Sequence, residues 1–284
     1  MKLKTVFTAI FSFIIAFVAQ GQSIDETYRF AEKQFLAGNY ETALIEYQRV
    51  AFFDAEGKYN SVYQKIGESF YAENQFDEAA RNFDIAARVA ENDSLQAEMY
   101  FKKAMCFFKQ HNYFFALNEL LGLQPPKSSY FQQKHDLYTA IALFGIEEYE
   151  TAYNHLSKIV DEESLPELTG IFNHFEKIRK RFRPEKVQTM STIFPGIGQF
   201  YVGNIGSGLN SLVLIGGIGV ITIYIWQSYG FLDAVLSMSS WYYRYYSGGI
   251  KNANSLALEK IAREREITYQ EIIQLVEENI SDTE

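Results

Sequence analysis

Residues 66–86 read IGESFYAENQFDEAARNFDIA, with small Gly67, aromatic Phe76, small Ala79 and large apolar Phe83. Apolar residues recur every three to four positions on both sides of Glu73-Asn74-Gln75, which predicts two helices joined by a tight turn. The same register extends outward in both directions. Ala43, Ala79, Ala116 and Ala152 recur at spacings of 36, 37 and 36, each three residues after an aromatic at Tyr40, Phe76, Tyr113 and Tyr149. Twelve residues before those alanines stand Ala31, Gly67, Ala104 and Ala140. Four residues after them stand Tyr47, Phe83, Leu120 and Leu156, followed by Val50, Ala86, Leu123 and Ile159.

Two antiparallel helices approach closely only where their crossing carries no bulk, so each brings a small residue. Large residues then fill the gap to the next pair, because one pair cannot bury its apolar face alone. The turns read Ala37-Gly38-Asn39, Glu73-Asn74-Gln75, Gln110-His111-Asn112 and Ile146-Glu147-Glu148, and only the first has glycine. This register resembles the tetratricopeptide repeat (TPR) family over residues 27–159, with a generic helical bundle as the alternative. The family's helix-ending proline is missing except near Pro125-Pro126. The resemblance implies an all-α, TPR-type α-solenoid of four helix pairs over residues 22–160, with a concave groove for a protein partner.

By that resemblance Phe35, Tyr71, Phe108 and Phe144 face the groove as an aromatic ladder, or else pack between repeats. Family members that clamp a C-terminal carboxylate use Lys and Asn at groove positions. Here those places hold Tyr28, Gln64, Phe101 and Leu137, then Glu32, Glu68, Met105 and Ile141, so the clamp is absent. Phe101 and Met105 join the expected partner-binding residues. The groove reads as acidic at its N-terminal end and apolar toward its C-terminal end, fit for an apolar peptide or helix.

Both ends of the chain point to a membrane. Lys2 and Lys4, the uncharged run over residues 5–18 and Ala19-Gln20-Gly21 read as a signal peptide over residues 1–21, or as an uncleaved anchor. Residues 161–189 read as a linker helix ending in a basic cluster of Lys177, Arg179, Lys180, Arg181, Arg183 and Lys186. From Val187 to Leu232 no residue is charged, which predicts spans over about residues 209–227 and 231–246 with Gln227-Ser228-Tyr229-Gly230 as the turn. Tyr224, Trp226, Tyr229 and Phe231 form one aromatic belt; Phe200, Tyr201, Trp241, Tyr242, Tyr243, Tyr245 and Tyr246 form the other. Gly216, Gly217 and Gly219, facing Ser237, Ser239 and Ser240, are expected to let the arms approach closely.

Before the first arm stand Pro195, Gly196, Gly198, Gln199, Tyr201 and Gly203, with Gly208 five residues on. This Pro-Gly-x-Gly-Gln-x-Tyr-x-Gly element is similar to that of small bacterial two-helix membrane domains of the TM2 type, and Asp233 fits the same pattern. The similarity implies a membrane hairpin over residues 190–250, spanning or only dipping into the bilayer. A dinucleotide-binding reading fails, because no strand precedes Gly196 and the third glycine of that fingerprint is Tyr201. Residues 251–284 are predicted as an amphipathic helix with Ile261, Ile272 and Leu275 as its stripe.

Net charge is −9, which argues against nucleic acid, since phosphate binding needs a basic face. The single cysteine, Cys106, excludes an internal disulfide and a Cys-based zinc site. His111, His135, His155 and His174 lack metal-ligand spacing, and no nucleophile–base set or phosphate loop is readable. No enzyme, cofactor, metal or small-molecule substrate is therefore expected. The expected function is a membrane-tethered protein-binding adaptor of the bacterial cell envelope, at the inner membrane with its repeats periplasmic. The basic flank conflicts with that orientation, because it looks cytoplasmic. The alternative is a membrane-embedded accessory to protein insertion or transport, with the hairpin as its working part. Asp233 is then either a functional group within the span or, lying near the turn, one that reaches headgroup water.

Overall fold

The computed structural model describes residues 23–281, and every regular element among them is a helix. The leader expected over residues 1–21 lies outside these residues. The chain divides into two compact units, one ending at Ile159 and one beginning at Val160.

The first unit holds α1 (Ile24–Leu36), α2 (Tyr40–Phe53), α3 (Val62–Ala72), α4 (Phe76–Arg88), α5 (Asp93–Lys109), α6 (Tyr113–Gly122), α7 (Ser129–Gly145) and α8 (Tyr149–Leu156). Each packs on the next. Their starts are local: Ser23 and Glu26 form a reciprocal capping box, and the Asn92 and Ser128 side chains accept from Leu95 N–H and Phe131 N–H. The small positions Ala31, Gly67, Ala104 and Ala140 are all buried, as are Ala43, Ala79, Ala116 and Ala152. Tyr47, Phe83, Leu120 and Leu156 complete the core. At Gly67 an added Cβ would stand 2.7 Å from the Phe83 ring, so this crossing needs glycine where the others take alanine.

The four turns have one shape although only one has glycine. Gly38, Asn74, His111 and Glu147 all have positive φ, at 78°, 59°, 54° and 70°. Behind each, the next residue's N–H reaches back to the carbonyl five residues earlier: Asn39 to Gln34, Gln75 to Phe70, Asn112 to Phe107 and Glu148 to Leu143, each at 2.9 Å. These are Schellman closures, which satisfy the last helical carbonyls and require a left-handed residue. His111 and Glu147 hold that conformation at a cost of about 1–2 kcal/mol each.

The second unit holds α9 (Leu165–Arg181), α10 (Pro184–Ile193), α11 (Ile197–Tyr201), α12 (Ile205–Tyr229) and α13 (Phe231–Ser281). The expected linker helix is two helices, divided at Phe182-Arg183 because Pro184 cannot continue the first. α12 is long and apolar enough to cross a membrane, at roughly 37 Å by helical rise, and its side chains are mostly exposed. Gly230 has φ +119° and joins α12 to α13, which packs along it.

Two expectations are corrected here. The second arm and the C-terminal amphipathic helix are one continuous 51-residue helix, α13, because nothing between Tyr246 and Asn254 breaks helical hydrogen bonding. Its distal part packs on α9 and α10 of its own unit, through Ala253, Ala257, Tyr269, Ile272, Leu275 and Val276. Ile261 of the predicted stripe is only half-buried. The second correction concerns Gly216, Gly217 and Gly219: a Cβ on any of them would meet nothing within 4 Å, so close approach is not their role. Close packing lies at the foot of α12 instead.

Candidate functional site

The first helices of the four pairs, α1, α3, α5 and α7, carry a repeating charge pattern. Lys65 on α3 reaches Glu32 on α1 at 3.6 Å, Lys102 on α5 pairs with Glu68 on α3, and Lys134 on α7 pairs with Glu98 on α5 at 2.7 Å. Each lysine also lies over an aromatic ring: Lys65 over Phe35, Lys102 over Phe83 and Lys134 over Phe101, at 4.8, 5.9 and 5.1 Å. Burial pushes the Glu68 carboxyl up, but hydrogen bonds from Gln64 and Lys102 outweigh it and hold it below the usual range. The acidic N-terminal end expected of the groove is thus neutralised, because tertiary packing brings a lysine from the following pair onto each glutamate.

Beside this ladder lies a cleft of about 450 Å³, lined by aromatics Phe35, Tyr40, Tyr71, Phe83, Phe101 and Tyr138, with Met105 and the Glu68, Glu98, Lys102 and Lys134 side chains at its edges. Four of the six expected partner-binding residues, Phe35, Tyr71, Phe101 and Met105, therefore meet in one concavity. Phe108 and Phe144 do not. The expected aromatic ladder is a set of turn contacts: Phe35 packs on Tyr40, Tyr71 on Phe76, Phe108 on Tyr113 and Phe144 on Tyr149, at 5.4, 5.3, 6.2 and 4.9 Å between centroids. Each is a residue preceding a turn packed edge-on or tilted against the aromatic that follows it, and Phe144 is only 1% exposed. Tyr40 and Phe83 are legible in the sequence only as register positions, and Lys102, Lys134 and Tyr138 carry no expectation there; all five line the cleft. The i, i+4 pairing of Lys134 with Tyr138 on α7 was the one local signal available.

In the second unit the Pro-Gly-x-Gly-Gln element forms a joint. Gln199 is fully buried; its amide nitrogen donates to Ser211 Oγ at 3.1 Å and to the Gly249 carbonyl at 2.8 Å, and its oxygen accepts from Ser191 Oγ at 3.0 Å. One side chain thus ties α10, α11, α12 and α13 together. Ser191 Oγ also accepts from Gly198 N–H at 3.1 Å. Gly196 and Gly203 have φ of +93° and +91°, and a Cβ at Gly208 would strike the Phe200 ring at 2.7 Å. Pro195 is half-buried just before α11, and Tyr201 ends that helix with its hydroxyl 2.9 Å from Lys186 Nζ. Asp233 stands exposed in the first turn of α13. These residues define a structural joint, with no reactive pair among them.

No protein-family model matches the chain, and no curated protein matches it.

Proposed function

We propose that this chain is a membrane-anchored adaptor that holds an apolar segment of another protein in the cleft along α1, α3, α5 and α7. In this reading the first unit is a TPR-type solenoid, and α12 with the first part of α13 is a membrane hairpin. The observation that carries it is the cleft itself. Six aromatic rings and Met105 face one concavity, while its charges are already paired with each other, leaving apolar contact as the source of affinity. A segment carrying two or three large apolar side chains at helical or extended spacing suits that chemistry. Supporting the tether, α12 is exposed, apolar and without charge over its whole length, and a helix of that kind in water would expose far more apolar surface than monomers tolerate.

The test uses the full chain in nonionic detergent, panned against a displayed peptide library. Selected peptides should carry clustered aromatic or leucine anchors. Tyr71→Ala with Met105→Glu should weaken them by about thirtyfold, as for loss of a binding hot spot. Equal affinity in that variant refutes the cleft. The adaptor belongs to the cell envelope with its repeats on the periplasmic side, and His111→Cys tests that, since the position is exposed while native Cys106 is buried. Labelling of that thiol by a membrane-impermeant reagent in intact cells is expected, and labelling only after lysis overturns the orientation.

A further inference from the structure

The basic cluster around the end of α9 divides by its partners, with Lys177 exposed a turn earlier and outside any ion pair among the described residues. Arg179 and Lys180 pair with Glu176, and Arg183 pairs with Glu185. Arg181 and Lys186 have no carboxylate within ion-pair distance among the described residues. Both are exposed and both lie near Tyr201, Arg181 across the Phe182 ring and Lys186 by a hydrogen bond to its phenol. Lys186 Nζ donates to it at 2.9 Å and lies 4.9 Å from its ring centre, and Arg181 stacks 5.1 Å over Phe182, whose ring is 5.8 Å from Tyr201. The hydrogen bond from Lys186, aided by Arg181, holds the phenol below its usual range. Tyr201 oxygen accepts from Lys186, and among the described residues no acceptor is paired with its own O–H. Three donors carrying two positive charges converge with no anion among them.

Their position names the anion. Tyr201 ends α11, and the uncharged, exposed α12 begins four residues later at Ile205, with Phe200 and Ile205 presented to the surroundings. We infer that Arg181, Lys186 and Tyr201 form a binding site for the phosphodiester of an anionic phospholipid, whose acyl chains lie along the foot of α12. The guanidinium and ammonium each give a charge-assisted hydrogen bond to phosphate oxygens, and the phenol gives a third. This rests on the membrane reading of α12.

The test reconstitutes the full chain into vesicles of phosphatidylcholine alone and of an equimolar mixture with phosphatidylglycerol, then measures by mass spectrometry the lipid retained on re-extraction. The wild type should retain phosphatidylglycerol about tenfold over phosphatidylcholine, as expected for hydrogen bonds to a charged group. Arg181→Gln with Lys186→Gln should return the ratio to that of the vesicle, Tyr201→Phe should lower it, and Lys186→Arg should keep it. Arg263→Gln, which removes a cation already paired with Glu259 at 3.1 Å, should leave it unchanged. Retention at the vesicle ratio in the wild type, or enrichment surviving the double substitution, overturns the site alone. Displacement of the lipid by inorganic phosphate at comparable concentration overturns the lipid as ligand. A chain that enters neither vesicle overturns the membrane reading as well.

Discussion

Gly198→Ala is the substitution most informative about the second unit. A Cβ built on Gly198 stands 2.3 Å from Ser191 Oγ and 2.4 Å from the Val187 carbonyl oxygen, both on α10. Because one of these atoms is backbone, a rotamer change cannot relieve the clash, and α11 must lift away from α10. Overpacking of that kind costs about 1–3 kcal/mol. The lift also breaks Gly198 N–H to Ser191 and Ser191 to Gln199, each worth about 1 kcal/mol net. Alanine's better helix propensity returns at most about 1 kcal/mol. The net loss is about 3 kcal/mol, or roughly 10 °C in unfolding midpoint for a unit of this size. Trp226 and Trp241, the chain's two tryptophans, both lie in this unit and report it by fluorescence in detergent. Gly217→Ala is the matched control, with nothing within 4 Å of its Cβ, and should be neutral or stabilising by up to about 1 kcal/mol. A midpoint for Gly198→Ala within about 2 °C of wild type, or an equal fall in both variants, refutes the assignment of close packing to the foot of α12.

The left-handed turn residues give a second expectation. Glu147→Gly should stabilise the first unit by about 1 kcal/mol and Gly38→Ala should destabilise it similarly, read by hydrogen exchange of the flanking helices. Acid should weaken the same unit. Burial raises the Glu68 and Asp84 carboxyls, but hydrogen bonds from Gln64 and Lys102, and from Lys103, outweigh it and depress both. A depressed carboxyl contributes stability that is complete above its unfolded value and is lost as pH falls through the folded one. The thermal midpoint should therefore stay flat from neutrality to about pH 5 and fall below about pH 4. Lys102→Gln with Lys103→Gln should flatten that fall, and a midpoint rising toward acid contradicts the pairing. Cys106 should stay unmodified by iodoacetamide in the folded chain at neutral pH, since burial pushes its thiol up to about 12; rapid alkylation without unfolding contradicts its burial.

The periodic features were legible because they are local. Ala43, Ala79, Ala116 and Ala152 sit where a helix crossing tolerates no bulk, a demand that recurs at fixed spacing and so shows in one dimension. The turn positions were equally readable, although Asn74, His111 and Glu147 conceal a shared backbone conformation behind three different side chains. The uncharged run of α12 announced itself by composition. Its supposed packing glycines did not keep that role, because a glycine in a sequence says nothing about what approaches it.

What the tertiary structure alone decided is which side chains meet. Phe35 and Tyr71 reach the cleft while Phe144 is sealed under Tyr149, although all four aromatics hold the same register. Lysines thirty-odd residues away neutralise Glu32, Glu68 and Glu98, and no local pattern encodes such pairing. Likewise six cations in one stretch read alike, and only the fold gives Arg179, Lys180 and Arg183 their acids while leaving Arg181 and Lys186 around Tyr201 and Lys177 exposed apart from them. Period and composition report what each helix demands of its own faces, whereas charge pairing and concavity depend on neighbours that the chain brings together only by folding.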